Sequence, residues 1–329
     1  MTIVTKHLDA ASADAMDEAA SLLRQGQVVA FPTETVYGLA ANGLDPDAVQ
    51  RIFKAKGRPA DNPLILHVGS FEEALPLWHA DNARLALAAR LADAFWPGPL
   101  SIVLPRSARV PPAVTAGLDS VAVRVPANSV AQALLARCGF PLAAPSANVS
   151  GRPSPTSAAH VATTLDGKIA AILDGGRTRV GIESTVLDLG QTPVRLLRPG
   201  HIGVAAIERV VGELATGKAP AQAASPGLRH RHYQPSGMDL RLVDTEQVKA
   251  SWQHSCAILC LESTGCGLGS RQGPLELLPC DPQAYAEGLY NALYALEGSG
   301  ARELLIERVP DSDEWRAVSD RLTRAAGVA

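Results

Sequence analysis

Apolar positions along the chain switch between a helical and a strand period. Between residues 13 and 25, Met16, Ala19, Ala20, Leu22 and Leu23 recur at helical spacing and Gly26 ends the run, which predicts an amphipathic helix. Residues 28–31 form a short continuous apolar run, the pattern of a buried strand. The run ends at Pro32 and opens into a loop of hydroxylated residues, Thr33, Thr35 and Tyr37. A helix follows, with Asp45 as N-cap, Pro46 at the first helical position, and Gly57 and Pro59 as stops. On it, Val49, Ile52, Phe53 and Lys56 share one face, so Lys56 extends a buried stripe while Arg51 and Lys54 point elsewhere. Residues 64–68 read as a second strand, which carries His67.

The alternation continues. Residues 82–95 read as a helix stopped by Trp96-Pro97-Gly98-Pro99. Residues 100–104 and 121–125 read as buried strands, 128–137 as a helix, and 141–148 as a strand running into a turn. Another helix is predicted to start near Ser154, then strands at 170–173, 184–189 and 194–198 and a helix at 203–215. Several strands follow one another directly, so the sheet is predicted to be open, twisted and mixed, in the α/β class. Residues 216–238 change character: an Ala-, Pro- and Gly-rich stretch reads as a linker and runs into Arg229, His230, Arg231, His232 and Tyr233. Beyond it, strands at 239–243, 256–261 and 302–308 alternate with helices at 281–297 and 312–326, predicting a small Rossmann-like α/β domain. The expected division is a catalytic domain over 1–215, a linker or lid over 216–238 and a second domain over 239–329. Gly265, Gly267 and Gly269 lack the spacing of a phosphate loop and read as an ordinary loop.

Composition narrows the class. The 329 residues are 47% hydrophobic and 19% charged, ordinary for a globular protein with one large and one small domain. A net charge of −3 argues against a general nucleic-acid coat, so any such binding rests on local cations. The five cysteines (Cys138, Cys256, Cys260, Cys266 and Cys280) are expected to be reduced and mostly buried. The alternative, a metal site from Cys256, Cys260 and Cys266, lacks paired CxxC motifs. No signal peptide or membrane-length apolar run is recognisable, so a soluble, cytoplasmic protein with no membrane partner is expected.

Three places carry candidate chemistry. Lys56 and Arg58 sit at a helix end before Asp61-Asn62-Pro63 and the next strand. They read either as an anion site or as cations complementing the helix dipole. Ala144-Pro145-Ser146-Ala147-Asn148 runs from a strand into a turn of small residues, either a plain turn or a cradle of exposed backbone groups. Arg124 alternates inward with Ala122, so it needs a partner, either a structural carboxylate or a substrate's.

The PTETVYGL loop, the Lys-x-Arg of Lys56 and Arg58 followed by PADNPL, and the later Ser-x-Asn of Ser146 and Asn148 resemble the threonylcarbamoyl-AMP synthases, the YrdC-like family, over about residues 10–215. The long members of that family carry a similar Rossmann-like second domain. They also carry a SPG-x-x-Tyr-x-His-Tyr-x-Pro linker that folds over the active site; this chain has His230 at the first Tyr. The resemblance implies a nucleotidyltransferase that joins L-threonine, bicarbonate or carbon dioxide, and ATP into threonylcarbamoyl-AMP and pyrophosphate. The product feeds tRNA threonylcarbamoyladenosine synthesis. By resemblance the catalytic set is Lys56, Arg58, Ser146 and Asn148, and the threonine pocket is Thr35, His67, Arg124, Ala144 and Ser184. ATP would meet Arg58, Asn62, Ser120, Ser146, Ser154, Arg198 and Tyr233, with Ser154 at a helix start that suits an anion. Mg2+ is expected with ATP, held through phosphates rather than by a dedicated protein ligand set.

Two alternatives share the fold. One is a carbamoyltransferase step in hydrogenase maturation, whose family proteins carry further modules before this domain. The other is an RNA-binding module using a basic cleft, with RNA contact here expected to be weak or indirect.

Overall fold

The computed structural model describes residues 3–217, 232–266 and 268–327. The first sheet has eleven strands: β1 (Lys6–Asp9), β2 (Val29–Phe31), β3 (Gly38–Asn42), β4 (Ile65–His67), β5 (Leu100–Pro105), β6 (Ser120–Arg124), β7 (Leu142–Ala143), β8 (Ala171–Asp174), β9 (Thr185–Asp188), β10 (Val194–Arg198) and β11 (Leu214–Ala215). They lie in the order β1-β8-β2-β3-β7-β4-β6-β5-β9-β10-β11. Parallel and antiparallel pairs mix: β4 and β6 are parallel, whereas β7 is antiparallel to β3 and β4. The second sheet comprises β12 (Asp239–Val243), β13 (Ala257–Leu261), β14 (Leu275–Leu278) and β15 (Glu303–Glu307), all parallel, in the order β12-β15-β13-β14. A large mixed α/β sheet followed by a small parallel one is the architecture the sequence pattern implies.

The period of two along the strands decides which side chains reach the site. Leu64, Leu66, Val68, Val121, Val123 and Val125 join the main core on one face. Ile65 and Ala122 turn to the other face, with Val103, Val186 and Leu197. In register, Ile65 pairs with Ala122 and His67 with Arg124, so His67 and Arg124 stand side by side on that second face. Helices Ala13–Arg24 and Ser129–Cys138 cover the β1-to-β7 half of this face through Met16, Leu23, Leu134 and Leu135. The His67–Arg124 pair sits just beyond their cover.

Helix Pro46–Lys56 forms as its local signals dictate. Asp45 Oδ1 accepts from the backbone N–H groups of Asp47 and Ala48, a cap worth about 1 kcal/mol. Gly57 ends it at φ 58°, in the left-handed region that glycine enters freely. Lys56 is buried with Val49, Ile52 and Phe53, as the stripe predicts.

Other expectations need correction. No strand was expected between the Thr33–Tyr37 loop and the helix that Asp45 caps, yet Gly38–Asn42 is β3, paired to β2 on one side and β7 on the other. Its small residues have little strand preference of their own, and smallness is what the position needs: a Cβ on Gly38 would lie 2.8 Å from the Phe31 ring. The helix expected near Ser154 begins at Ala158, capped by Ser157. The helix expected over 203–215 is Val204–Val211, and Leu214–Ala215 returns to the sheet beside β10. Helix Thr245–Ala250 and strand β14 lacked a strong sequence signal, and the last helix, Arg316–Ala326, starts later than expected. Of the five free cysteines only Cys138 and Cys260 are buried; Cys266 and Cys280 are exposed. Among the described residues no helix is long and apolar enough to cross a membrane.

The second core, built on Leu240, Leu259, Tyr285, Leu289 and Ile306, also takes in Val36, Ile182 and Tyr233. The two sheet regions therefore share a packed boundary, and that boundary borders the site. Residues Arg229, His230 and Arg231 of the basic run lie outside the described residues.

Candidate active site

Eight stretches of chain converge on one cavity of about 60 Å3: the turn after β2, the end of helix Pro46–Lys56, strands β4 and β6, the turn after β7, the entry to β9, the end of β10, and the pair His232–Tyr233. The turn after β7 is held by the sheet itself. Leu39 N–H donates to Pro145 O (2.8 Å), Ala147 N–H to Tyr37 O (2.8 Å), and Ala144 N–H to Ile65 O (2.9 Å). Backbone pairing thus carries Ala144 and Ser146 to the cavity wall.

On one side stands Arg124. Its Nε donates to Gly98 O (3.1 Å), Nη1 donates to Thr35 Oγ1 (2.9 Å), and Nη2 lies 2.6 Å from Glu34 Oε1. The inward arginine has therefore found a structural carboxylate as well as a cavity to face. Burial alone would raise the Glu34 pKa, but the adjacent Arg124 guanidinium outweighs it and lowers it. Thr33 Oγ1 sits 2.8 Å from Thr35 Oγ1 and donates to Val36 O (2.6 Å), which fixes the turn. His67 is buried edge-on to Phe31, and burial, reinforced by Arg124, pushes its pKa down to about 3. Its imidazole is neutral at physiological pH, and Nδ1 has no hydrogen-bond partner.

Opposite lie the cations. Arg58 Nε donates to Asn62 O (3.0 Å), and Nη2 donates to Asn62 Oδ1 (2.7 Å) and Pro63 O (2.8 Å). Burial lowers its pKa to about 9, so it stays charged at neutral pH. Lys56 takes a different part. Its Nζ donates to Ser146 O (2.5 Å) and to Asn148 O, and Ser150 N–H donates back to Lys56 O (2.9 Å). Burial first, and Arg58 second, hold its pKa well below the usual lysine range. Lys56 pins the Ser146–Asn148 turn from behind. Asn148 Nδ2 in turn donates to Val149 O and Arg152 O (both 2.9 Å).

The third wall is Glu183, Ser184, Arg198 and Tyr233. Arg198 Nη2 donates to Ser184 O (2.9 Å) and Ser184 Oγ (3.1 Å), and Ser184 Oγ lies 2.8 Å from Ser101 Oγ. Glu183 accepts from Ser154 Oγ (2.5 Å), from Tyr290 OH (3.0 Å) and from Arg321 Nε (2.8 Å). Burial would raise its pKa, but Arg321 and Arg198 hold it down at about 2.

Of the residues expected from the sequence, Thr35, Arg58, His67, Arg124, Ala144, Ser146, Ser184, Arg198 and Tyr233 line the cavity together. Lys56, Asn62, Asn148 and Ser154 stand behind that wall and hold it through the hydrogen bonds above. Ser120 is half-buried at the start of β6, opposite Pro105, away from the cavity lining. Ser154 is not at a helix N-terminus, and its hydroxyl donates to the Glu183 carboxylate. Glu183 is the cavity carboxylate that sequence reading passed over. A lone acid before an apolar strand was the available signal, but its arginine is 138 residues away.

A Sua5–YciO–YrdC family model, described as telomere recombination, matches residues 21–200, and a threonylcarbamoyl-AMP synthase C-terminal domain model matches residues 202–327. The chain is 45% identical over 322 residues to threonylcarbamoyl-AMP synthase of Pyrococcus abyssi, covering 94% of this chain and 93% of that one. It is 40% identical over 332 residues to threonylcarbamoyl-AMP synthase of Bacillus subtilis, covering 94% and 92%. The structure of P. abyssi Sua5 complexed with L-threonine superposes with a TM-score of 0.89 at 40% identity, covering 99% of this chain and 98% of that one. With similarity running through both sheet regions, the chain belongs to the threonylcarbamoyl-AMP synthase family.

Proposed function

We propose that the protein is an L-threonylcarbamoyladenylate synthase. It joins L-threonine, bicarbonate or carbon dioxide, and ATP into threonylcarbamoyl-AMP, releasing pyrophosphate, and supplies tRNA threonylcarbamoyladenosine synthesis. One observation carries this reading: the five residues expected for threonine, Thr35, His67, Arg124, Ala144 and Ser184, line the same cavity as Arg58, Ser146, Arg198 and Tyr233. A near-full-length relative solved with L-threonine supports it.

In this reading Arg124 Nη1 and Thr35 receive the threonine carboxylate, and Ser184 the side-chain hydroxyl. The threonine amine captures the one-carbon unit as a carbamate. A carbamate oxygen then bonds to the α-phosphorus of ATP as the bond to pyrophosphate breaks. Catalysis is alignment and charge balance, with little covalent work for the protein. Arg58 is the charged fork beside the phosphates, with Ser146, Arg198 and Tyr233 around it. Lys56, Asn62, Asn148 and Ser154 hold those groups in place, and Ser120 lies outside the cavity lining. A group that protonates near pH 3 is too weak to take a proton from an ammonium, so His67 orients substrate through its unpartnered Nδ1.

Glu183, which lines the cavity, and Glu34, which pairs with the lining residue Arg124, are both engaged by arginines. Among the described residues no three metal-ligating side chains cluster. The donor set does not fit a dedicated metal centre, so Mg2+ belongs to the triphosphate of incoming ATP. The catalytic unit is taken as residues 1–215, the connection as 216–238 and the second domain as 239–329. A cytoplasmic setting follows from the use of ATP and the supply of the tRNA threonylcarbamoyl-transfer machinery, with RNA contact weak or indirect.

Pyrophosphate release from purified protein with ATP and Mg2+ tests this, omitting L-threonine and bicarbonate in turn. Release that needs both, and that serine supports poorly, is the expected result. Release indifferent to threonine would remove the synthase reading.

A further inference from the structure

Resting on the synthase reading, we propose that Arg321 and Tyr290, from helices Arg316–Ala326 and Pro282–Gly298, are positioning residues for the ATP side of the active site. They hold Glu183, and with it Ser154 and Tyr233, where the nucleotide needs them.

Arg321 is fully buried, which arginine rarely is unless paired. Its Nε donates to Glu183 Oε2 (2.8 Å), and Nη1 donates to Pro199 O (2.9 Å) and Asp320 Oδ2 (2.7 Å). One guanidinium thus bridges residues 183 and 199, each next to a cavity residue, Ser184 or Arg198. Arg198 ties these two stretches together from the other side, through Ser184 O and Oγ. Tyr290 OH donates to the same Glu183 carboxylate (3.0 Å), whose remaining hydrogen bond comes from Ser154 Oγ (2.5 Å). The Glu183 acceptors are thus shared between one residue of the first sheet region and two of the second.

Tyr233 depends on the same pair. Its backbone has φ 69°, in the left-handed region that a tyrosine seldom adopts, so its surroundings must hold it there. Its ring stacks on Tyr290 at 5.4 Å between centroids, and the Arg321 guanidinium carbon lies 5.9 Å from its centre. Neither Arg321 nor Tyr290 lines the cavity, so neither is catalytic. Adhesion alone needs no such arrangement, because Val36 and Ile182 already join the second core by apolar contact. A buried ion pair is weak evidence for stability, since desolvation offsets its attraction. Its geometry here is spent on residues that border the substrate.

The test uses the full-length chain with Tyr290→Phe, Arg321→Lys and Arg321→Ala. Steady-state pyrophosphate release gives KM for ATP and kcat, and calorimetry gives ATP and L-threonine affinities separately. Tyr290→Phe keeps the ring stack and removes only the hydroxyl, so it should fold even if Arg321→Ala does not. The expected result is a rise in ATP KM of about threefold to tenfold for Tyr290→Phe and above about tenfold for Arg321→Ala. Arg321→Lys should fall between, because it keeps the charge and loses the fork. L-threonine affinity without ATP should stay within about twofold throughout. ATP KM within about twofold of the parent for both Tyr290→Phe and Arg321→Lys would overturn the proposal, as would parallel losses of threonine and ATP affinity that follow the melting temperature. Failure of the parent protein to release pyrophosphate would overturn the synthase reading instead, and the ATP calorimetry would still decide the positioning role.

Discussion

Two arginine–glutamate pairs border the same cavity, and they are tied down differently. Arg124–Glu34 is internal to the first sheet region: β6 brings the arginine and the turn after β2 brings the acid, 2.6 Å apart. Neither Glu34 oxygen accepts a well-directed hydrogen bond, so the contact is ionic and loosely aimed. Arg321–Glu183 joins the two sheet regions, and Glu183 is saturated by Ser154, Tyr290 and Arg321. The same two residue types therefore do different work. In the first pair Arg124 Nη2 makes no directed hydrogen bond, so the guanidinium keeps a donor for an incoming carboxylate, as Arg124 is proposed to do. A saturated pair is a clamp, and exchanging its partners would leave buried groups bare.

The sharpest way to break that contrast is Arg124→Met. It leaves the Glu34 charge buried and unpaired, and denaturant unfolding should show a loss of about 3–5 kcal/mol. Adding Glu34→Gln should recover more than half of the loss, because the stranded charge is the main penalty. No recovery in the double variant would mean that Arg124 acts through packing rather than charge. A smaller effect is expected from Lys56→Met, which removes the donor from Ser146 O and Asn148 O without touching either pair. Leaving those carbonyls unsatisfied should cost about 1–3 kcal/mol and raise KM for ATP, while L-threonine affinity stays close to the parent's. Equal weakening of both substrates would place Lys56 in the cavity rather than behind it.

The last effect is in pH, and it grows with each unit of acidification. His67 lies beside the first pair, and His232 faces Arg58 and Glu183; burial pushes both folded pKa values down to about 3 from 6.5. Below pH 6.5 the unfolded chain binds protons that the folded one refuses, so stability falls with pH through the window from 6.5 towards 3. Each histidine contributes a slope of about 1.4 kcal/mol per pH unit there. Glu183, depressed from 4.5 to about 2, adds its own loss only between those values. Unfolding free energies at pH 7, 6 and 5 should show the histidine slope first, and His67→Asn should remove one share of it. A flat profile over that range would mean that these rings are hydrated in the folded state.

Legibility in the sequence followed the range of the cause. Helix Pro46–Lys56 was readable to the residue, because Asp45, Pro46 and Gly57 act within one turn of where they sit. The inward turn of Arg124 was readable too, because strand alternation is local. Strand β3 was not, since Gly38–Asn42 has no strand signal of its own and is extended by β2 and β7. The placement of Ser154 at a helix start was misread for the same reason: the helix starts at Ala158, and the Ser154 hydroxyl donates to Glu183, 29 residues on. Lys56 was recognised as an odd cation in an apolar stripe, but its targets, the carbonyls of Ser146 and Asn148, are about ninety residues away and chosen by the sheet.

By itself, then, the sequence determined the helices and their caps, the strand faces, the α/β class, and through its motifs the family and the residue types of the site. Those depend on propensity, periodicity and order along the chain, which act over a few residues. Only the tertiary structure decided which carboxylate each buried arginine meets, that Lys56 pins a turn instead of facing the cavity, and that the second sheet region reaches Glu183 through Arg321 and Tyr290. A buried charge requires a partner at contact distance, and that requirement names no partner until the chain has folded.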